Sequence, residues 1–219
     1  GKIGIMRDYF GPGFKYIGID INNSTRMFDS ADWINIEIGN SGDRTFLRSI
    51  KKKYPHVDIF LDDGGHKMPQ QKLAIEELLP HLHEEGIYIC EDLATSWGGP
   101  RTFGGVTRGN VSNSLFLTKT MYGLLHKTMD WLQSDWISGG LVQPEELPDD
   151  AFAEKWWKTI LREVKHIHMY NQFVVYEKGK TYKPQIMTSL GEETHDEPVD
   201  WGLVLENLRT YTGSPWDTK

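Results

Sequence analysis

The sequence predicts an α/β protein, a doubly wound and mostly parallel sheet that closes on a terminal antiparallel strand pair. Three observations carry this expectation. The run Val57-Asp58-Ile59-Phe60-Leu61-Asp62-Asp63-Gly64-Gly65-His66 is apolar until it ends in two carboxylates, two glycines and a histidine, and Gly86-Ile87-Tyr88-Ile89-Cys90-Glu91-Asp92 copies the design. Short apolar runs bounded by turn residues read as buried strands. Between them, Lys67 to Glu85 carries Leu73, Ile75, Leu78, Leu79 and Leu82 at helical spacing, so the three stretches form a βαβ unit with parallel neighbouring strands. Lys165 to Lys178 alternates, breaks at Asn171-Gln172 and resumes, as an antiparallel pair joined by a tight turn does.

The remaining elements follow in chain order. Residues 1–13 carry Ile3, Ile5, Met6, Tyr9 and Phe10 on a short amphipathic helix that Gly11-Pro12-Gly13 stops. Lys15 to Ile21 is a buried strand ending at Asp20, and Trp33 to Ile38 a shorter one leading into the turn Gly39-Asn40-Ser41-Gly42-Asp43. Thr45 to Tyr54 is a helix with Phe46, Leu47 and Ile50 inward. Trp97 to Asn113 holds five glycines and a proline without periodicity, and so long a loop reads as a lid over a site. A long amphipathic helix spans Ser114 to Trp136, a glycine-proline loop leads to a helix around Ala151–Val164, and residues 181–219 form a polar tail after a domain of residues 1–180.

Composition sets the outer limits. A 219-residue chain, a quarter charged and 38% hydrophobic, suits one globular domain with an appendage. Its net charge of −7 speaks against a non-specific nucleic-acid or anionic-membrane binder, and Lys51-Lys52-Lys53 reads as a solvated helix end. Cys90 is the single cysteine, so no intrachain disulfide forms. Without a signal-peptide pattern or an 18-residue apolar stretch, a cytoplasmic protein with no nucleic-acid or membrane partner is the expectation.

The chemistry-bearing residues gather at strand ends. Asp20 closes a strand at a βα junction, where an acid either accepts hydrogen bonds from the ribose of a nucleotide-like cofactor or caps its own turn. Asp63, Glu91 and Asp92 would converge at the ends of adjacent parallel strands, as oxygen ligands of a hard cation such as Mg2+. Taken singly, the first motif is a plain turn and the second a helix N-cap. Asp62 points away from that crevice, because successive strand residues face opposite ways. His66, three residues past Asp63, is either a general base beside those carboxylates or a surface histidine. No Gly-x-Ser-x-Gly, Cys-x-x-Cys or phosphate loop is present to support nucleophilic, zinc or nucleotide-hydrolysing chemistry.

Taken together these motifs resemble one family: the metal-dependent sugar O-methyltransferases of macrolide biosynthesis that use S-adenosylmethionine, the mycinamicin and macrocin type. The resemblance runs through RDYFGPGFKYIGIDI, IGNSGDRTFL, DDGGHKMPQQ, HLHEEGIYICEDLATSW and IHMYNQFVVYEKG, from about residue 1 to 180. It implies a Rossmann-like class I methyltransferase domain in which Asp63, Glu91 and Asp92 hold Mg2+ and His66 is the base. It further implies that Asp20 holds the cofactor ribose, that Asn40 and Ser41 lie near the adenine, and that Asp63 serves cofactor as well as metal. The acceptor it implies is a hydroxyl on a glycosylated macrolide or other small natural product; a catechol, or a polyketide hydroxyl on a carrier, is the alternative acceptor. A second copy of the chain is a candidate partner, and a non-catalytic binding domain is the rival from another class.

Three departures stand beside it. Positions 40 and 41 are Asn-Ser where the family has Asp-Gln, and Ala94-Thr95-Ser96-Trp97 replaces His-Thr-Ser-Tyr. The family's first strand is missing from this chain, with Gly1 read as the last glycine of the loop that follows it. That strand belongs centrally, between the strand ending at Asp20 and the one ending at Asp63, so residues upstream of Gly1 are expected.

Overall fold

The computed structural model describes residues 2–29, 31–98, 103, 119–137 and 163–180. Helix α1 (Lys2–Phe10) ends where the sequence says it should. Gly11 takes a φ of 85°, which an L side chain resists, and its N–H donates to the Arg7 carbonyl at 2.9 Å. Phe10 stacks on Phe14, Phe14 leans on Trp33, and the Arg7 guanidinium lies 4.4 Å from the Trp33 ring centre. The helix is thereby tied to the strands that follow.

Strands β1 (Tyr16–Asp20) and β2 (Ile34–Ile38) pair in parallel, with Asp20 opposite Ile38. A second sheet has the order β3-β4-β6-β5. In it β3 (Ile59–Asp62) and β4 (Ile87–Cys90) are parallel, placing Asp62 opposite Cys90, while β5 (Val164–Met169) and β6 (Val174–Lys178) form the expected antiparallel pair. Strand β1 does not pair with β3; among the described residues the two belong to separate sheets. In burial, strand β1 departs from expectation: only Gly18 is buried, and among the described residues β1 has one strand neighbour rather than two.

Helix α2 (Arg44–Lys53) is capped by the Asp43 carboxylate, which accepts from Thr45 N at 2.8 Å, and buries Leu47 and Ile50. Helix α3 (Met68–Leu78) is shorter than the Lys67–Glu85 reading. Pro80 has no N–H and its ring crowds the preceding turn, so the chain leaves the helix there and reaches β4 through Glu85 at a φ of 66°. Helix α4 (Met121–Ile137) matches the described part of the predicted long helix, whose first residues, Ser114–Thr118, lie outside the described residues. The helix expected around Ala151–Val164 is corrected at its end: Val164 is the first residue of β5, buried and β-branched as a strand interior favours, and 151–162 lie outside the described residues.

The core lies on one face of the four-stranded sheet. Tyr88, Cys90, Val174 and Tyr176 from the strands meet Ile75 and Leu78 of α3, Leu79 just past its end, and Leu124 and Leu125 of α4. Ion pairs join α2 to α3. Glu77, 6% exposed, receives Arg44 at 2.5 Å and Lys51 at 2.5 Å. Burial pushes the Glu77 carboxyl up, but hydrogen bonds from Lys51 and Arg44 outweigh it and hold the group below its ordinary value. The lysines that close α2 are thus more than a solvated end, since Lys53 also reaches Glu37 at 2.5 Å. No helix among the described residues is long and apolar enough to cross a membrane.

Candidate active site

Because β3 and β4 run parallel with Asp62 opposite Cys90, the residues just past them emerge side by side. Asp63, His66 and Asp92 each bring one ligand atom within 4.8 Å of the others. His66 Nε2 lies 3.2 Å from Asp92 Oδ2. His66 Nδ1 is turned inward, buried and without a hydrogen-bond partner. Glu91, the third expected ligand, stands outside this trio. Its N–H donates to the Asp62 carbonyl at 3.0 Å and its carbonyl accepts from Gln71 Nε2 at 3.2 Å.

The backbone here is strained, though not where the glycines suggested. The sharp turn was expected of Gly64 and Gly65, yet Gly11 is the described glycine with positive φ, whereas His66 has a φ of 50° and Asp92 a φ of 56° with ψ 44°. Left-handed conformations on residues with a Cβ cost on the order of 1–3 kcal/mol each, and they persist where the surroundings over-determine them. Both residues whose side chains meet carry that strain. The hairpin between β5 and β6 helps to fix one of them, since Leu93 N donates to the Gln172 carbonyl at 2.9 Å just after Asp92.

Gly65 lies close against the end of the Gln70 side chain. A Cβ there would come 2.3 Å from Gln70 Oε1. Gln70 in turn donates through Nε2 to Asn40 Oδ1 at 3.2 Å, and the same oxygen accepts from Gly42 N at 2.8 Å. Ser41 Oγ lies 3.6 Å from where a Cβ on Gly64 would stand. The loop after β2, with Asn40 and Ser41, is thus fastened to the loop after β3, and the carboxyl ends of the two sheets meet. Asp20 sits one strand further along, where its carbonyl accepts from Gly39 N at 2.8 Å. Asp20 Oδ1 accepts from Asn22 N at 2.7 Å, the turn-capping role considered for it, and Oδ2 is not used in that contact.

Beneath the site, Asp62 faces inward as expected. Its Oδ2 accepts from the Tyr88 hydroxyl at 3.0 Å. Burial raises the Asp62 carboxyl above the ordinary range, and the hydrogen bonds from Tyr88 and the Gly64 amide counter this only in part. Cys90 is buried, and desolvation followed by the neighbouring Asp62, Asp92 and Glu91 pushes its thiol well up, so it is no nucleophile. Sequence reasoning missed Gln70, Gln71 and Tyr88 as supports. The available signal was a pair of glutamines one turn past His66 on a helix otherwise apolar inward. Beyond Asp92, a 3-10 segment (Leu93–Trp97) carries buried Ser96, whose Oγ accepts from Tyr122 N at 3.2 Å. Of the expected lid, Trp97, Gly98 and Phe103 are described; the rest lies outside the described residues.

A doubly wound α/β fold that gathers acids past its parallel strands is the class I methyltransferase architecture, and solved structures bear out that class. The chain superposes on a methyltransferase of the mycinamycin biosynthetic pathway, MycE, solved with Mg and SAH, with a TM-score of 0.60 at 21% identity over 97% of this chain and 54% of that one. A second MycE structure, with Mg, SAH and mycinamycin VI, gives 0.59 at 23% identity over 92% of this chain and 52% of that one.

Particular relatives follow from sequence. The chain is 28% identical to the demethylmacrocin O-methyltransferase of Streptomyces fradiae over 180 residues, 82% of this chain and 40% of that protein. It is 27% identical to the mycinamicin VI 2''-O-methyltransferase of Micromonospora griseorubida over 191 residues, 86% of this chain and 42% of that protein. The resemblance read from the motifs is therefore borne out. The chain spans about two-fifths of the length of these curated relatives. No family model matches it.

Proposed function

We propose that this chain transfers the methyl group of S-adenosylmethionine to a hydroxyl on the sugar of a small natural product, with a divalent cation held at the acidic cluster. The observation that carries the reading is the convergence of Asp63, His66 and Asp92, on strained backbone, past the ends of two adjacent parallel strands. The donor set fits a divalent cation. Two carboxylates bring their oxygens within 4.8 Å of each other and of an imidazole, an arrangement that a positive charge relieves. Asp63 and Asp92 are the ligands the geometry favours, whereas Glu91, expected as the third, stands outside the cluster. When bound, Mg2+ lowers the pKa of an acceptor hydroxyl and fixes its oxygen, while S-adenosylmethionine supplies an activated methyl.

The protein's own groups do the rest. Asp20 would hold the ribose through Oδ2, and Asn40 and Ser41, fastened to the loop after β3 by Gln70, would border the adenine. His66 Nε2, facing the carboxylates, would take the proton of the acceptor hydroxyl as the methyl group passes from sulfur to that oxygen. Positioning of acceptor and donor supplies up to roughly 7–11 kcal/mol of the barrier.

Two measurements on the full chain test this. Calorimetry with S-adenosylmethionine should report binding; its failure would leave a non-catalytic domain as the better reading. Labelled methyl should then pass, in the presence of Mg2+, to an L-rhamnosyl polyketide glycoside, the acceptor in the name of a further relative, the 8-demethyl-8-alpha-L-rhamnosyl tetracenomycin-C 2'-O-methyltransferase of Streptomyces olivaceus, 29% identical over 58% of this chain and 32% of that protein. Transfer to catechol with none to the glycoside would overturn the sugar assignment.

A further inference from the structure

The flank of the site beyond Asp92 is aromatic. Trp97 ends the 3-10 segment that Asp92 begins, and it is a large aromatic left 40% exposed. Five residues at about 2 Å of rise put its Cα on the order of 10 Å from that of Asp92. The ring is held rigidly. It leans on Tyr122 with centres 4.6 Å apart at 58°, and Tyr122 meets His126 edge-on at 4.8 Å. The backbone beneath is fixed twice. Ser96 Oγ accepts from Tyr122 N, and it also lies 3.8 Å from Met68 Sδ, on the residue two past His66. Met68 N donates to the Phe103 carbonyl at 2.7 Å, and the Phe103 ring lies against Gly98, where a Cβ would come within 2.6 Å of it.

We infer that Trp97, braced by Tyr122, is a specificity-determining platform on which the sugar ring of the acceptor stacks while its hydroxyls reach the acid cluster. This rests on the sugar O-methyltransferase reading above. A pyranose has one face of C–H bonds and a rim of hydroxyls. The first packs on a flat aromatic face and the second hydrogen-bonds to carboxylates, so an exposed, immobilised indole beside acids matches a sugar on both counts. A catechol, wholly flat and small, needs no such platform a 3-10 segment away. A carrier-tethered chain would be served by an apolar channel rather than by one ordered ring. Ordering Trp97 before the acceptor arrives also lowers the entropic cost of binding. The sugar class is thus selected by a residue that touches neither methyl donor nor reacting oxygen.

The test separates binding from catalysis. The full chain, labelled with 5-fluorotryptophan, is titrated with methyl α-L-rhamnopyranoside in the absence of S-adenosylmethionine, and the Trp97 fluorine resonance is assigned by its loss in Trp97→Phe. That resonance should shift saturably with sugar and stay fixed with catechol. In turnover, Trp97→Ala should raise KM for the rhamnosyl glycoside on the order of tenfold while kcat stays within about threefold. Trp97→Phe should recover most of the loss. An unmoved Trp97 resonance at sugar saturation, or a Trp97→Ala enzyme with unaltered KM, overturns the platform. Failure of methyl transfer with a shifting Trp97 resonance would instead count against the catalytic reading and leave the platform standing.

Discussion

Two buried tyrosines on neighbouring strands offer a matched pair of perturbations. Tyr88 and Tyr176 face each other in the β4–β6 register, both fully buried, with ring centres 6.5 Å apart. The Tyr88 hydroxyl donates to Asp62 at 3.0 Å, while the Tyr176 hydroxyl has no partner. Replacing either by Phe removes one oxygen and keeps the ring, so the packing against Phe60 and the core survives. Tyr88→Phe strands the carboxylate of Asp62, which is 6% exposed, and leaves it short of a donor. A buried acceptor deprived of its partner costs about 1–3 kcal/mol, and a charged one stands at the top of that range. A loss of about 2–3 kcal/mol follows, which lowers the melting temperature by roughly 4–12 °C for a chain of this size. Tyr176→Phe removes a hydroxyl buried without compensation, so it should be neutral or stabilising by up to about 1 kcal/mol. Urea denaturation of both variants at neutral pH measures the difference. Equal effects, or a Tyr88→Phe cost below about 0.5 kcal/mol, the range of a surface substitution, would refute the claim that Tyr88 supports the end of β3 from below.

Other outcomes follow from the same geometry. His66→Ala should cut turnover by about 10²–10⁴-fold with S-adenosylmethionine affinity nearly intact in calorimetry, and a change within a few-fold would reduce His66 to a surface residue. Gly65→Ala should leave the fold in place, since the end of the Gln70 side chain can swing away. The Gln70–Asn40 bond would go with it, at about 0.5–1.5 kcal/mol, and hydrogen exchange at residues 39–43 should quicken; unchanged protection there would count against the clamp. Glu77→Gln should cost about 1–2 kcal/mol at pH 7, allowing for the half-exposed Arg44 and Lys51. The folded-state pKa of Glu77 is depressed, so its stabilisation is present above the unfolded value and is lost as pH falls through the folded one. Denaturation curves of parent and variant should therefore converge below about pH 4; a gap that persists in acid would contradict the ion-pair account.

What was legible in the sequence follows period and punctuation. The acid-tipped strands, the helix between them and the hairpin at Asn171-Gln172 were readable because apolar runs and turn residues are local signals. Asp63, Asp92 and His66 could be grouped because a βαβ unit obliges its two strand ends to be neighbours. Glu91 fell outside the trio because a strand alternates faces, and a left-handed Asp92 resets that alternation in a way no local residue announces. The same blindness assigned the turn to Gly64-Gly65, where the glycine at 65 serves Gln70 and the left-handed residue is His66. Gln70, Gln71 and Tyr88 were hidden because their partners lie 30, 20 and 26 residues away.

The most direct test of the proposed site is the rate of methyl transfer to a rhamnosyl glycoside as a function of free Mg2+, measured on the full chain and on Asp63→Ala. The account predicts no turnover under chelation and saturable recovery as Mg2+ is restored to the parent. It predicts no recovery at any Mg2+ concentration for Asp63→Ala, which should also fail to bind the cation. Undiminished transfer by the parent in the presence of a chelator would contradict it.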